Sequence, residues 1–196
     1  ACLGRCPMIE VDVQPCADGA VVVFHDRCLA RTSDAARMRR VVGAPGLLVR
    51  DWRLDQLRRL DLGSWFLAAD PFGSLQSGRA DRLVLQTLMP QRILTLEELL
   101  AWAMARDMAL NIELKDQHEP RANERLAAAV TRLVRAADAG QRVVLSCFNH
   151  AVLRVCRGLA PDIAIAALQE DGHPADLVAY LRALGACAYH PADNLV

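Results

Sequence analysis

Short apolar runs alternate with helical patterns along most of this chain, and this alternation is the feature that most constrains its fold. Five such runs have strand character, at about 8–13, 109–115, 142–148, 163–168 and 186–190. A further run at about 20–25 follows the first one closely. Strands that alternate with helices are typical of a parallel sheet covered by helices. The sequence therefore predicts an α/β fold with five parallel strands.

Residues typical of helix ends support this division. Thr95 followed by Glu98 predicts a capping box at the start of "TLEELLAWAMARD". Asn149 is a favourable N-cap for a helix in "NHAVLRVCRG". Pro174 is expected in the first turn of a helix in "HPADLVAYLRALG". Gly140 and Gly185 are expected just beyond the ends of two helices. Together these signals predict helices between successive strands from Thr95 onward.

The region after the first strand does not follow this pattern. Only "QPCADGA" separates the first strand from "VVVFHD". A parallel crossover needs about a dozen residues or more. The second run must therefore turn back at Asp18-Gly19 or belong to an excursion. We interpret residues 14–90 as an insertion, in which "DWRLDQLRRL" is the one short helical stretch.

Composition excludes several functional classes. The formal net charge is zero and no basic run occurs, so nucleic acid is not an expected partner. Charged residues interrupt the apolar runs, so no transmembrane segment is predicted. The seven cysteines are odd in number and form no CxxC pair, which favours free thiols and a cytoplasmic location and disfavours zinc. The oligomeric state is not predicted.

Charged side chains on two of the predicted strands indicate a site. Glu10 and Asp12 lie two residues apart, so they share one face of their strand, and Glu113 and Lys115 share a face in "LNIELKD". Carboxylates that converge at the carboxyl ends of parallel strands suit a hard divalent cation, Mg²⁺ or Ca²⁺. Of the 23 cationic residues only Lys115 is a lysine. His25 ends its own apolar run and is a candidate proton carrier.

Several ordered motifs resemble those of the glycerophosphodiester phosphodiesterase family. "MIEVDVQPCADGAVVVFHDRCLARTSD" is similar to the family's second-strand signature. "LRRLDLGSWF", "ILTLEELL", "NIELK" and "VVLSCFN" resemble later segments of the family in the same order. The resemblance extends from about residue 8 to residue 190.

The resemblance implies a TIM (β/α)₈ barrel of the phospholipase-C-like phosphodiesterase type with a small insertion after the second strand. In that frame residues 1–196 form a partial barrel, and the chain is expected to be a fragment. It would lack the family's His-Arg-Gly strand and the last two barrel strands, and as it stands it is expected to be inactive.

The resemblance also implies a role for each site residue. Glu10, Asp12 and Glu113 would bind the divalent cation, His25 would be one of two catalytic histidines, and Lys115 would contact the substrate phosphate or the acidic cluster. The implied activity is that of a phosphoric diester hydrolase. It would convert a small glycerophosphodiester into sn-glycerol 3-phosphate and an alcohol in glycerophospholipid breakdown.

Two alternatives remain open. The chain could act on another phosphodiester, such as a lysophospholipid or a sphingolipid, or it could be a non-catalytic barrel that binds a metal or a ligand. The joint presence of Glu10, Asp12, His25, Glu113 and Lys115 argues against the non-catalytic alternative. The headgroup and the choice between Mg²⁺ and Ca²⁺ are not predicted.

Overall fold

The computed structural model describes residues 6–196, which contain seven strands and eight α-helices. The strands, in chain order, are β1 (Met8–Pro15), β2 (Val21–Val23), β3 (Leu94–Thr95), β4 (Ala109–Leu114), β5 (Val143–Cys147), β6 (Ala164–Gln169) and β7 (Ala188–Pro191). The helices are α1 (Ala35–Val42), α2 (Leu54–Leu57), α3 (Ser64–Ala69), α4 (Arg82–Thr87), α5 (Leu96–Met104), α6 (Pro120–Ala136), α7 (His150–Leu159) and α8 (Leu177–Leu184). The described chain divides into two compact units, one of residues 6–14 and 95–196 and one of residues 15–94.

The first unit is built on five parallel strands in the order β1-β4-β5-β6-β7. Helix α5 precedes β4, and helices α6, α7 and α8 connect the successive strands from β4 to β7, as the strand–helix alternation predicts. In the register between β1 and β4, Met8 pairs with Ala109 and Val13 pairs with Leu114. All five strands therefore end at the same edge of the sheet, which brings the polar residues at their carboxyl ends together.

Burial explains why the strands of this unit are so apolar. Leu110, Ile112 and Leu114 on β4 and Leu145 on β5 are fully or almost fully buried. Strands of a parallel sheet are covered on both faces, so apolar residues occupy positions that would be polar in a half-exposed sheet. Charged residues that remain in such strands are costly unless they are paired.

The helix ends agree with most of the sequence predictions. The Thr95 hydroxyl accepts a hydrogen bond from the Glu98 amide at 3.2 Å, and a Glu98 carboxylate oxygen accepts from the Thr95 amide at 2.9 Å. These two bonds form the predicted capping box. Asn149 caps α7 by accepting from the Ala151 amide, and Gly185 ends α8 in the left-handed conformation with φ +72°.

Two predicted helix ends are wrong. Helix α6 ends at Ala136 and Gly140 begins a 3₁₀ turn, because the left-handed residue that follows the helix is Asp138, with φ +51°. An Asp adopts this conformation more readily than most non-glycine residues, so no glycine is required there. Helix α8 begins at Leu177, where the Asp176 carboxylate accepts from the Ala179 amide. This cap places Pro174 before the helix.

The second unit has its own apolar core. Four large side chains, Leu29, Trp52, Leu57 and Leu60, are fully buried there, and the Trp52 indole N–H donates to the Gly46 carbonyl at 3.1 Å. Near the start of the unit the Cys16 amide donates to the Ala20 carbonyl at 2.9 Å, which closes a turn before β2.

The prediction of one short helix in this region is wrong, because the structure has the four helices α1 to α4 there. Each is only four to eight residues long, so the apolar pattern repeats over little more than two turns at most. Helix α4 illustrates the point, since its N-cap Asp81 accepts from the Leu83 amide at 2.8 Å. Such local caps support helices whose apolar pattern is too short to recognise in the sequence.

Within residues 6–196 no helix is long and apolar enough to cross a membrane. The six cysteines in this range, Cys6, Cys16, Cys28, Cys147, Cys156 and Cys187, are free thiols, whereas Cys2 lies outside the described residues. Burial raises the pKa of the Cys147 thiol to about 12 and that of Cys156 to about 12. These two side chains therefore behave as core residues and not as nucleophiles.

Candidate active site

The pairing of β1 with β4 creates the polar face of the first unit. Glu10 pairs with Asn111 and Asp12 pairs with Glu113 in the parallel register. Because side chains alternate along a strand, Glu10 and Asp12 share one face of the sheet with Asn111 and Glu113. Lys115 follows β4 on the same side, and its amide donates to the Val13 carbonyl at 3.1 Å.

Three carboxylates converge on this face. One carboxylate oxygen from each of Glu10, Asp12 and Glu113 lies within 4.8 Å of the other two. The Asp12 and Glu113 side chains are largely buried, with 14% and 13% exposure, whereas Glu10 is exposed. We call these three residues the acidic cluster.

Lys115 links two members of the acidic cluster. Its Nζ donates to Asp12 Oδ1 at 2.9 Å and to Glu113 Oε1 at 2.7 Å, and its side chain is 18% exposed. Burial opposes the charged form of the ammonium, but the hydrogen bonds to Glu113 and Asp12 outweigh it and raise the pKa of Lys115 above its usual range. Lys115 is therefore a positive charge at neutral pH.

The charges of the acidic cluster fit a divalent cation. The three carboxylates carry up to three negative charges, and Lys115, which binds two of them, supplies one positive charge. Closely spaced carboxylates repel one another unless a positive charge compensates them. Oxygen ligands of this kind are those that Mg²⁺ and Ca²⁺ prefer. Glu10, Asp12 and Glu113 could thus hold such an ion beside Lys115.

Two buried polar atoms lie near the acidic cluster. Ser146 pairs with Glu113 across β4 and β5, and Asn111 precedes Glu113 by two residues. Ser146 Oγ and Asn111 Oδ1 are buried and have no hydrogen-bond partner among the residues that the structure describes. The alternation of side chains along the strand places Asn111 on the face of Glu113, whereas the position of Ser146 beside Glu113 is recognisable only once the strands are paired.

Asp116 organises the loop that follows β4, and sequence reasoning missed it. Its carboxylate accepts hydrogen bonds from the His118 amide at 2.8 Å, from Asn123 Nδ2 at 2.8 Å and from Asn149 Nδ2 at 3.1 Å. These donors outweigh the effect of burial and lower the pKa of Asp116 below its usual range. The only sequence signal was an acidic residue directly after a strand end. Asp116 therefore connects the loop after β4 with the start of α7.

His25 lies in the second unit, shortly after β2. Its Nδ1 is 2.7 Å from Asp26 Oδ1, and its side chain is 67% exposed. Arg31 binds the same carboxylate through two nitrogens, Nε to Oδ2 at 2.6 Å and Nη2 to Oδ1 at 2.7 Å. The hydrogen bonds from Arg31 lower the pKa of Asp26 to about 2, against the opposing effect of burial, and the bond to His25 lowers it further. Asp26 is thus a permanently ionised neighbour of the imidazole at neutral pH.

The predicted site residues therefore fall into two groups. The structure brings Glu10, Asp12, Glu113 and Lys115 together in the first unit, as the face-sharing pattern of β1 and β4 predicts. His25 belongs to the second unit together with its own acidic and basic neighbours. The assignment of catalytic and metal-binding roles to these five residues stays a prediction.

Comparison with known proteins identifies relatives along the whole described chain. The chain is 31% identical over 189 residues to the uncharacterised protein YqiK of Bacillus subtilis, covering 95% of this chain and 64% of YqiK. It is 30% identical over 166 residues to a glycerophosphodiester phosphodiesterase of Caldanaerobacter subterraneus, covering 84% of this chain and 55% of the relative. The chain thus spans between about half and two thirds of the length of these relatives.

A solved structure gives the same result for the fold. The putative glycerophosphoryl diester phosphodiesterase from Silicibacter pomeroyi superposes with a TM-score of 0.76 at 26% identity, covering 94% of this chain and 64% of that protein. The α/β fold of the TIM-barrel type is thereby confirmed for this chain. The sequence model of the Glycerophosphoryl diester phosphodiesterase family matches residues 6–196. This match covers nearly every residue, including both strands of the acidic cluster, and the chain therefore belongs to the glycerophosphoryl diester phosphodiesterase family.

Proposed function

We propose that the protein hydrolyses glycerophosphodiesters to sn-glycerol 3-phosphate and an alcohol, and that the reaction requires a divalent cation. The observation that carries this proposal is the convergence of Glu10, Asp12 and Glu113 beside Lys115. Family membership and the name of the Caldanaerobacter relative support the reaction class. The role belongs to the breakdown of glycerophospholipids.

The acidic cluster alone would repel a phosphodiester, because both carry negative charge. Lys115 is a single cation bound to two of the three carboxylates. A bound divalent cation would offset the charge of the carboxylates, stabilise negative charge on the phosphoryl oxygens and help to orient the substrate. Glu10, Asp12 and Glu113 are the residues that would hold it.

Lys115 has two roles in this proposal. It holds the Asp12 and Glu113 carboxylates in place through bonds of 2.9 and 2.7 Å, so these ligands are oriented before substrate arrives. Its raised pKa keeps the ammonium charged, so it also adds positive charge on the side where a phosphate would bind.

The chemistry at phosphorus needs proton transfers as well as charge neutralisation. A free hydroxyl of the glycerol part attacks phosphorus and loses its proton, and the alcohol leaves with a proton. Water then opens the resulting cyclic phosphate to give sn-glycerol 3-phosphate. His25 is the proposed carrier for one of these protons, because an imidazole exchanges protons near neutral pH.

The decisive experiment measures product formation by the intact protein. Glycerophosphocholine is incubated with the protein in EDTA, in Mg²⁺ and in Ca²⁺, and sn-glycerol 3-phosphate is quantified enzymatically. We expect turnover only with a divalent cation. Glu113→Gln should lower kcat/KM by about 10²-fold or more, because one charged ligand is lost while the shape is kept. Glu124→Gln, at an exposed position of α6, is the control and should leave kcat/KM unchanged.

The choice of substrate is tested in the same assay. Lysophosphatidylcholine and sphingomyelin replace glycerophosphocholine at equal concentration, and the released phosphate ester is identified by mass spectrometry. A preference for either lipid would replace the glycerophosphodiester assignment by a lipid phosphodiesterase. Metal binding without turnover of any of the three substrates would indicate a non-catalytic barrel.

A further inference from the structure

Asp26 and Arg31 form an arrangement around His25 that the proposed function does not assign. The Asp26 side chain is only 18% exposed, although both of its partners are largely exposed. Arg31 binds both carboxylate oxygens side-on, at 2.6 and 2.7 Å, and so restricts the rotation of the carboxylate. His25 Nδ1 approaches one of these two oxygens at 2.7 Å.

The charge of Asp26 decides which imidazole nitrogen carries the proton. A carboxylate only accepts hydrogen bonds, and the pKa of Asp26, about 2, keeps it ionised. A neutral imidazole has a single N–H, so the short contact requires that this hydrogen be on Nδ1. Nε2 is then left with its lone pair, and it has no hydrogen-bond partner among residues 6–196.

We propose that Asp26, clamped by Arg31, is a positioning residue that holds His25 in the Nδ1–H tautomer and leaves Nε2 as the proton-transfer atom. The inference rests on the proposed function in one respect only, namely that His25 transfers a proton. Arg31 fixes the carboxylate, Asp26 orients the ring, and the imidazole does the chemistry.

A second ion pair in the same unit shows what a structural role looks like. Arg37 Nη2 lies 2.6 Å from Asp34 Oδ2, and the other Asp34 oxygen accepts from the Asp61 amide at 2.9 Å. Asp34 thus connects two backbone segments and contacts no imidazole in the described chain. It is the matched control for Asp26, since both are aspartates bound by a nearby arginine.

The test reads the tautomer directly. The intact protein is labelled with ¹⁵N at histidine, and two-bond ¹H–¹⁵N correlation spectra are recorded at a pH where the imidazoles are neutral. His25→Gln identifies the His25 signals among the five histidines. We expect a protonated, pyrrole-type shift for Nδ1 and a pyridine-type shift for Nε2. Asp26→Asn should produce a mixture of tautomers, because a carboxamide can donate as well as accept. Asp34→Asn should leave the tautomer unchanged.

Kinetics complete the test in the same variants. Asp26→Asn should lower kcat by about 10²-fold with little change in KM, because the loss concerns proton transfer and not substrate binding. Asp26→Glu keeps an acceptor on a longer side chain, so it should retain the Nδ1–H tautomer and recover part of kcat. This second variant also serves if Asp26→Asn folds poorly.

The possible failures are distinguishable. An Nε2–H tautomer in the parent protein, or a tautomer and kcat unchanged in Asp26→Asn, overturns the positioning role. The tautomer of His25 could change in Asp26→Asn while turnover survives His25→Gln. This result would support the positioning of the ring by Asp26 and overturn the catalytic assignment of His25.

Discussion

Removal of the Lys115 ammonium is the sharpest test of the acidic cluster. In Lys115→Met the two hydrogen bonds to Asp12 and Glu113 disappear, and the three carboxylates within 4.8 Å of one another lose the ammonium that bound two of them. Methionine keeps a long unbranched side chain, so the main change is the lost charge and not a cavity.

The expected loss of stability follows from the burial of the three side chains. Breaking a fully buried ion pair costs about 3–5 kcal/mol, whereas a fully exposed pair contributes about 0.2–1 kcal/mol. Lys115, Asp12 and Glu113 are between 13% and 18% exposed, which is near the buried limit. We therefore expect Lys115→Met to lower the free energy of unfolding by about 2–3 kcal/mol at neutral pH without divalent cations.

The assay is urea unfolding of the intact protein with EDTA and then with Mg²⁺ or Ca²⁺. Added cation should reduce the loss in Lys115→Met, because it compensates the carboxylates that the ammonium no longer neutralises. Arg135→Met is the control, since the Arg135–Asp162 pair of the same unit is 2.8 Å long but about half exposed on both sides. Its removal should lower the free energy of unfolding far less than Lys115→Met does, because solvent screens this exposed pair.

The pH dependence gives an independent check of this reasoning. The pKa of Lys115 is raised in the fold above its usual value of 10.5, so its stabilising contribution is complete below pH 10.5. The contribution is lost as the pH rises through the folded-state pKa, and the difference between the parent protein and Lys115→Met should shrink there. Two results would refute the reasoning. One is a loss of unfolding free energy below about 0.5 kcal/mol for Lys115→Met at neutral pH. The other is a loss for Lys115→Met that is the same in the parent protein and in a protein that already carries Asp12→Asn.

Two further predictions concern the remaining local interactions. The pKa of Asp26 is about 2 in the fold, whereas its ordinary value is 3.8. The stability that Asp26 contributes with Arg31 is therefore complete above pH 3.8 and is lost as the pH falls towards 2. Asp26→Asn should abolish this part of the acid dependence, which urea unfolding at a series of pH values measures. Thr95→Ala should lower the free energy of unfolding by about 1 kcal/mol, because it removes the capping box with Glu98. Thr87→Ala, at the end of α4, is the control and should lower it less in the same thermal unfolding series.

The strands and the acidic cluster could be predicted because their signals are local and periodic. Glu10 and Asp12 lie two residues apart in an apolar run, and Glu113 and Lys115 repeat that spacing, so each pair shares a face whatever the strand pairs with. The strand–helix alternation then implies parallel strands whose carboxyl ends coincide. The shared face of each pair and the common edge of the sheet together were sufficient to predict that Glu10 and Asp12 lie close to Glu113 and Lys115.

Other features depend on pairings that no local pattern specifies. Ser146 lies beside Glu113 only because of the register between β4 and β5, and one residue of slip would place it on the opposite face. Asp116 collects donors from His118, Asn123 and Asn149, which are up to 33 positions away in the chain. Helix α4 and its neighbours are too short for a periodic signal. These features follow from the folded arrangement and had to be observed.

Lys115 and Arg31 bind carboxylates in two different ways, which explains why one is a lysine and the other an arginine. Lys115 contacts two carboxylates on different strands, at 2.9 and 2.7 Å, and a compact ammonium can point one N–H at each. Arg31 contacts both oxygens of a single carboxylate, for which the planar guanidinium fork is the matching shape. In a chain whose other 22 cationic residues are arginines, the one lysine lies where a fork does not match its acceptors. Lys115→Arg should therefore retain the charge and yet lower kcat/KM and stability, because the wider group cannot satisfy both carboxylates without displacing one. Kinetic constants and urea unfolding equal to those of the parent protein would mean that charge alone matters at this position.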